Sequence, residues 1–199
     1  MDVGSIPACA SIIVQIQRNP NMWSEAFAAT QPNLQKHWLE RPNALTSGLR
    51  QLGNLKLSVL SEHPSYLHSS DAKLVELPSN AQIWVREIKM SLDGIDCVVA
   101  RSFTPLDAST GVWAGIRSLQ QRPLADILYN DDSIFRSKFY ACRLNEHLPL
   151  MKTISQHVIQ DESRKANLLA RCSVFWREHQ PLLVAECFMP EFWQIAKFC

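Results

Sequence analysis

The sequence predicts an α+β protein built on a single antiparallel sheet. Two stretches, residues 83–104 and 169–189, each have the pattern of a β-hairpin, and helical patterns lie before, between and after them. Hairpins interspersed with helices, without a regular alternation of strand and helix, are typical of this class. A chain of 199 residues is long enough for one sizeable core. We therefore expect one domain over residues 1–199, with residues 1–20 as a peripheral extension.

The first third of the chain is predicted to be helical before it enters the sheet. Apolar residues at 22–53 have the spacing of short helices, which two prolines interrupt. Alternating apolar residues at 54–61 predict a strand. Residues 63–80 are polar and contain two further prolines, so they are predicted to be mostly loop, with a possible short strand at 74–77.

The segments between and after the hairpins are predicted to be helical. Residues 110–129 have helical spacing, and Pro123 is suited to open a second helical segment. The pattern of residues 137–170 is weak, with a helix predicted over 150–165. Residues 191–199 could form one or two amphipathic turns.

The first hairpin carries the most informative pattern of the chain. Asp93-Gly94 is a strong signal for a two-residue turn. Such a turn places Arg86 opposite Arg101, each on an apolar strand face. The outgoing face is then Trp84, Arg86, Ile88 and Met90, and the returning face is Cys97, Val99, Arg101 and Phe103.

Two facing arginines repel each other, by about 3 kcal/mol at roughly 5 Å and an effective dielectric constant of about 20. An anion should therefore lie between Arg86 and Arg101. One possibility is a carboxylate of the protein, such as Glu186 or Asp96, in which case the arginines are structural. The other is an acidic ligand.

The last strand also has a charged residue on an apolar face, because alternation places Glu186 there. Arg171 faces it across the second hairpin if residues 178–179 form a two-residue turn. Glu178 and His179 are poor residues for such a turn, and a longer loop would shift the register.

Composition and motifs narrow the classes of function. A net charge of +1 without basic runs argues against nucleic-acid binding, and no apolar stretch is long enough to span a membrane. No positive region precedes the apolar residues 8–14, so we expect no signal peptide. Six scattered cysteines form no metal-binding motif. We expect a cytoplasmic protein with no metal and no cofactor.

The chain resembles the chorismate lyase (chorismate pyruvate-lyase) family over roughly residues 43–190. No single motif is specific, but the blocks occur in the family's order and at similar spacing. They are Ile83-Trp84-Val85-Arg86-Glu87-Ile88, Asp93-Gly94, Ala100-Arg101-Ser102-Phe103-Thr104-Pro105, Arg122-Pro123-Leu124-Ala125-Asp126-Ile127-Leu128-Tyr129 and Pro181-Leu182-Leu183-Val184-Ala185-Glu186-Cys187-Phe188-Met189-Pro190.

The resemblance implies a sheet with helical flaps that enclose an internal ligand cavity. It implies elimination of pyruvate from chorismate to give 4-hydroxybenzoate, the first step of ubiquinone biosynthesis. We expect a monomer, and we expect inhibition by the product because an enclosed site would bind it nearly as well as the substrate. Substrate-binding positions fall on Arg86, Leu124 and Glu186, with Arg101 as a second cationic wall and Leu45 as a looser match. Arg86 and Glu186 are the implied catalytic residues.

The chemistry of chorismate agrees with these residues. Facing arginines can hold its two carboxylates. Glu186 could bind the ring hydroxyl or act as a general acid, whereas a proton transfer within the substrate would need no acid. Ala100 stands where the family has glycine, which narrows the space beside Arg101. A non-catalytic effector-binding domain of the same fold, as in transcription regulators, and a structural protein are the alternatives.

Overall fold

The computed structural model describes residues 23–197, which form one seven-stranded antiparallel sheet with helices. The strands are β1 (Leu55–Tyr66), β2 (Gln82–Leu92), β3 (Ile95–Pro105), β4 (Phe135–Arg136), β5 (Tyr140–Arg143), β6 (Leu169–Arg177) and β7 (Gln180–Phe188). The α-helices are α1 (Asn33–Glu40), α2 (Leu45–Leu49), α3 (Ser69–Val75), α4 (Ala125–Leu128), α5 (Pro149–His157) and α6 (Pro190–Ala196). The strand order is β1-β2-β3-β7-β6-β4, and β5 also pairs with β6. The predicted fold class is confirmed, whereas the predicted extension at residues 1–20 lies outside the described residues.

The first hairpin forms at Asp93-Gly94 as predicted, but its register differs from the prediction. Leu92 pairs with Ile95 beside the turn, and then a bulge inserts one extra residue into β3, so that Met90 pairs with Val98. A shift of one residue moves every later side chain of a strand to the opposite face. Arg86 therefore faces Ser102 rather than Arg101, and the predicted arginine pair is wrong.

The segment after residue 61 also differs from the prediction. β1 continues to Tyr66 through Pro64, and residues 69–75 form α3 where loop and a short strand were expected. Proline is tolerated in β1 because this strand lies at the edge of the sheet, where one row of N–H groups has no partner strand.

The second hairpin has the two-residue turn that would bring Arg171 opposite Glu186. Arg177 pairs with Gln180, and Arg171 pairs with Glu186. Glu178 and His179 both adopt left-handed backbone angles, with φ of 49° and 61°. Their type I′ geometry is the one that matches the twist of a hairpin, although neither residue favours it.

The two faces of the sheet have separate apolar clusters. One face packs against α3 and α5 through residues such as Val85, Phe103 and Cys187. The other face packs against α1, α2 and α6, and against the helical turns at residues 114–128. No helix among residues 23–197 is long and apolar enough to cross a membrane.

Replacing Glu178-His179 by Asn-Gly should stabilise the protein by about 1 kcal/mol, because left-handed backbone costs ordinary residues roughly that much. Urea unfolding of the double variant E178N/H179G would measure the gain. The matched control is D93N, which alters a turn that already contains glycine and should change stability by less than about 0.5 kcal/mol. A double variant no more stable than the wild type would contradict the strain assigned to this turn.

Candidate functional site

A cavity lies between one face of the sheet and the helical segments that cover it. The space accessible to a water molecule inside it is about 60 Å³, and the cavity is partly open to solvent. The floor is formed by β1, β2, β3, β6 and β7. We call residues 38–49 the first flap and residues 119–129 the second flap. The lining residues are Asn43, Ala44, Leu45, Thr46, Leu57, Arg86, Ile88, Met90, Ala100, Ser102, Pro123, Leu124, Ala125, Leu128, Tyr129, Phe139, Arg171, Ser173, Phe175, Val184 and Glu186.

The structure brings four of the five predicted site residues together in this cavity. Arg86 and Glu186 project from the sheet, Leu45 lies in the first flap, and Leu124 lies in the second. Arg101 does not line the cavity, because the bulge in β3 turns it to the opposite face of the sheet. The second cationic wall expected at Arg101 is therefore absent from this cavity.

Arg86 is 1% exposed and is held by several groups. It pairs with Glu62, its cross-strand neighbour on β1. Its Nη2 atom also donates to the carbonyl oxygen of Gln120 at 2.7 Å and to that of Arg122 at 3.3 Å. The partner carboxylate is thus Glu62 rather than Glu186 or Asp96, and the same guanidinium binds the second flap. Glu62 was missed because the predicted strand ended at residue 61, whereas β1 continues to Tyr66.

Arg171 is the arginine that accompanies Glu186. Its Nε atom donates to Oε2 of Glu186 at 2.7 Å, and its Nη1 atom donates to the carbonyl oxygens of Trp38 and Arg41, both at 3.0 Å. The guanidinium also stacks on Phe139, 4.4 Å from the ring centroid. Arg171 is 2% exposed, so these contacts satisfy a charge that is almost fully desolvated.

Arg86 and Arg171 therefore have equivalent arrangements. Each pairs with one carboxylate of the sheet and donates to two main-chain carbonyls of one flap. Charge-assisted hydrogen bonds of this kind are stronger than neutral ones. Each flap is consequently held by the same guanidinium group that pairs with a carboxylate of the sheet.

Apolar side chains form most of the remaining wall. Ile88, Met90 and Ala100 line the cavity from the sheet, and Leu124 and Leu128 line it from the second flap. The methyl group of Ala100 points into the cavity, beside Glu186 on the neighbouring strand. This position agrees with the expectation that alanine narrows the space here.

Arg101 belongs to a polar cluster on the other face. Its Nε atom lies 3.4 Å from Oε1 of Glu87, which also accepts hydrogen bonds from Thr153 and Ser61. Burial lowers the pKa of Arg101, an effect that the charges of Asp71 and Glu87 oppose. The cluster joins β1, β2, β3 and α5.

Residues 23–197 contain neither a metal-binding cluster nor a thiol suited to nucleophilic attack. No group of three or more His, Cys, Asp or Glu side chains is placed to hold a metal ion. Four of the cysteines are free and buried, and burial raises the pKa of Cys97 to about 11. A thiol with so high a pKa is a poor nucleophile at neutral pH.

The sequence model of the chorismate lyase family matches residues 18–198 of this chain. The chain belongs to the chorismate lyase family. A probable chorismate pyruvate-lyase of Bordetella pertussis is 49% identical over 175 residues, which are 88% of this chain and 92% of that protein. The probable chorismate pyruvate-lyase 1 of Pseudomonas fluorescens is 37% identical over 86% of this chain and 90% of that protein.

Among solved structures, the chain is similar to the ligand-binding domain of a putative GntR-family transcriptional regulator from Bordetella bronchiseptica. The TM-score is 0.47 and the identity 11%, over 70% of this chain and 86% of that one.

The variant R171A should lose about 3–5 kcal/mol of unfolding free energy, because the change leaves Glu186 without its charge partner and two flap carbonyls without donors. Denaturant unfolding would measure the loss. The matched control is R143A, an exposed arginine on β5 whose hydrogen bond goes to Asn167 and which should matter little. Equal stability of the two variants would contradict the role given to Arg171.

Proposed function

We propose that this protein is a chorismate pyruvate-lyase, which eliminates pyruvate from chorismate to give 4-hydroxybenzoate for ubiquinone biosynthesis. The observation that carries the proposal is a largely apolar cavity with Arg86 and Glu186 on its floor, in a chain nearly half identical to probable chorismate pyruvate-lyases. The proposed site residues are Arg86, Glu186, Leu124 and Leu45, and we add Arg171.

The two charged groups of the floor suit the two ends of the product. Arg86 on β2 and Glu186 on β7 are separated by β3, so their backbones lie roughly 10 Å apart. We assign the ring carboxylate to Arg86, where it would share the guanidinium with Glu62. The ring hydroxyl would donate to Glu186, and the apolar side chains between them would hold the ring.

The reaction breaks the bond between ring carbon 3 and the oxygen of the enolpyruvyl group. Ring carbon 4 loses its hydrogen, the methylene carbon of the leaving group gains a proton, and the ring becomes aromatic. Aromatisation makes the elimination strongly favourable, so we propose that no cofactor is needed. The protein then supplies orientation and charge stabilisation.

Glu186 acts in this proposal by binding the substrate hydroxyl rather than by donating a proton. Its Oε2 atom already accepts a hydrogen bond from Arg171. A carboxylate paired with a guanidinium is an acceptor of hydrogen bonds. Proton transfer within the substrate, from ring carbon 4 to the enolpyruvyl methylene, then completes the reaction without a protein acid.

The proposal includes inhibition by the product. Both flaps are tied to the floor by buried guanidinium groups, so ligand exchange requires these contacts to open. 4-Hydroxybenzoate keeps the carboxylate and the hydroxyl that Arg86 and Glu186 would bind. Flap opening is therefore expected to limit turnover.

We further propose a cytoplasmic monomer that binds no nucleic acid. Free cysteines are typical of reducing compartments, and Cys97, Cys142, Cys172 and Cys187 are free. A net charge of +1 offers little attraction to a phosphate backbone.

Purified protein should convert chorismate to equal amounts of pyruvate and 4-hydroxybenzoate with EDTA present. Coupled detection of pyruvate and absorbance detection of the aromatic product would measure both, and added 4-hydroxybenzoate should lower the initial rate. Binding of 4-hydroxybenzoate without turnover of chorismate would instead indicate an effector-binding domain.

The variant R86A should lose at least about tenfold in kcat/KM, because it removes the charge that holds the ring carboxylate. It should also lose about 1–3 kcal/mol of stability, since Glu62 and the second flap lose a donor. Paired measurement of the melting temperature and of chorismate turnover separates the two effects.

The matched control is E62Q, which weakens the same ion pair but keeps Arg86. It should lose stability while its kcat/KM stays within about threefold of wild type. If Arg86 serves only Glu62, both variants will have normal activity per folded molecule, and the proposed role in substrate binding fails.

A further inference from the structure

Thr46, in the wall of the cavity, has a buried hydroxyl group without a hydrogen-bond partner in the part of the chain that the structure describes. The residue is 7% exposed and lies in the first flap, directly after Leu45. Its Oγ1 atom is buried and has no hydrogen-bond partner within residues 23–197. Thr46 also lines the cavity. Most buried hydroxyls have a partner, so this one calls for an explanation.

The packing of the flap does not explain the hydroxyl. In a helix, threonine commonly donates to the carbonyl four residues earlier, but Thr46 is the second residue of α2 and makes no such bond. Valine has nearly the same shape and would fill the same space without an unpaired polar atom. A hydroxyl is therefore useful at this position only when something in the cavity binds it.

The position of the first flap indicates which part of a ligand lies near Thr46. Arg171 binds this flap through Trp38 and Arg41, and binds Glu186 through its Nε atom. The first flap is thus fastened at the end of the cavity where Glu186 would bind the ring hydroxyl. In chorismate, the enolpyruvyl group is attached to the ring carbon next to the one that bears this hydroxyl.

On the basis of the proposed function, we propose that the Thr46 hydroxyl donates a hydrogen bond to the enolpyruvyl carboxylate of chorismate. Arg86 and Glu186 are assigned to the two groups that the substrate shares with its product. The enolpyruvyl carboxylate is the third polar group of the substrate and can only accept hydrogen bonds. A threonine hydroxyl can donate one. Thr46 then distinguishes chorismate from 4-hydroxybenzoate.

The variants T46V and T46S test the proposal. T46V should lower kcat/KM for chorismate at least about tenfold. Its dissociation constant for 4-hydroxybenzoate should stay within about twofold of wild type, because the product lacks the enolpyruvyl group. T46S keeps the hydroxyl and should recover most of the activity. The melting temperature of T46V without ligand should equal or exceed that of wild type, since an unpaired buried hydroxyl is removed.

The matched control is S47A, which removes an exposed hydroxyl from the same flap and should change neither constant. Wild-type kcat/KM in T46V would overturn the proposal. An equal loss of affinity for 4-hydroxybenzoate would also overturn it, because the hydroxyl would then bind a group that the product retains.

The wild-type protein distinguishes a failure of this inference from a failure of the proposed function. Absent turnover in the wild type would refute the lyase activity itself. In that case, a thermal-shift measurement of chorismate binding to wild type and to T46V still decides the role of Thr46. Weaker chorismate binding with unchanged 4-hydroxybenzoate binding would support the contact, and equal binding of both ligands would overturn it.

Discussion

Two buried arginines on one face of the sheet, each paired with a glutamate, hold the cavity together. A buried guanidinium is costly unless its charge is balanced and its donors are used. Glu62 and Glu186 balance the charges of Arg86 and Arg171, and the remaining donors go to carbonyls of the flaps. The flaps are therefore fixed by the same groups that create a polar floor. A ligand carboxylate that enters must share a guanidinium with these partners, so ligand binding and flap position are coupled.

Neighbouring residues of a single strand lie on opposite faces of the sheet, one toward the cavity and the next toward the polar cluster. Arg86 faces the cavity, and its neighbour Glu87 faces the polar cluster with Arg101 on the other side. Ala100 faces the cavity, and Arg101 does not. Glu87 accepts hydrogen bonds from β1 and from α5, which fixes β2 in place behind the cavity. Rigid support of this kind is what a site needs when orientation is its main contribution.

Much of the fold was predictable because local signals agreed with the tertiary structure. The Asp93-Gly94 turn, the alternation in both hairpins and the helical spacing of residues 22–53 all correspond to observed elements. β4 and β5 were missed because two and four residues are too few for a periodic pattern. The strand through Pro64 was missed because proline argues against a strand except at an edge, and edges are a property of the whole sheet.

The residues of the candidate site could be predicted from the sequence more readily than the groups that they contact. Arg86, Leu124, Glu186 and Leu45 came from the resemblance, and all four line one cavity. The role of Arg171 depended on a turn at Glu178-His179, whose residues give no local signal for left-handed backbone. The position of Arg101 depended on a bulge, which leaves no clear mark in the sequence.

That bulge also limits how the first hairpin can change in length. An odd number of residues gained or lost between the bulge and Ala100 would exchange the two faces of β3. After a gain of one residue, the cavity would receive Arg101 in place of Ser102, and the apolar core behind the sheet would receive Ser102 in place of Phe103. Related proteins should therefore differ in this stretch by substitution, or by two residues at a time. Length variation of any parity is better tolerated in residues 130–134, which join the second flap to β4 and contain no strand.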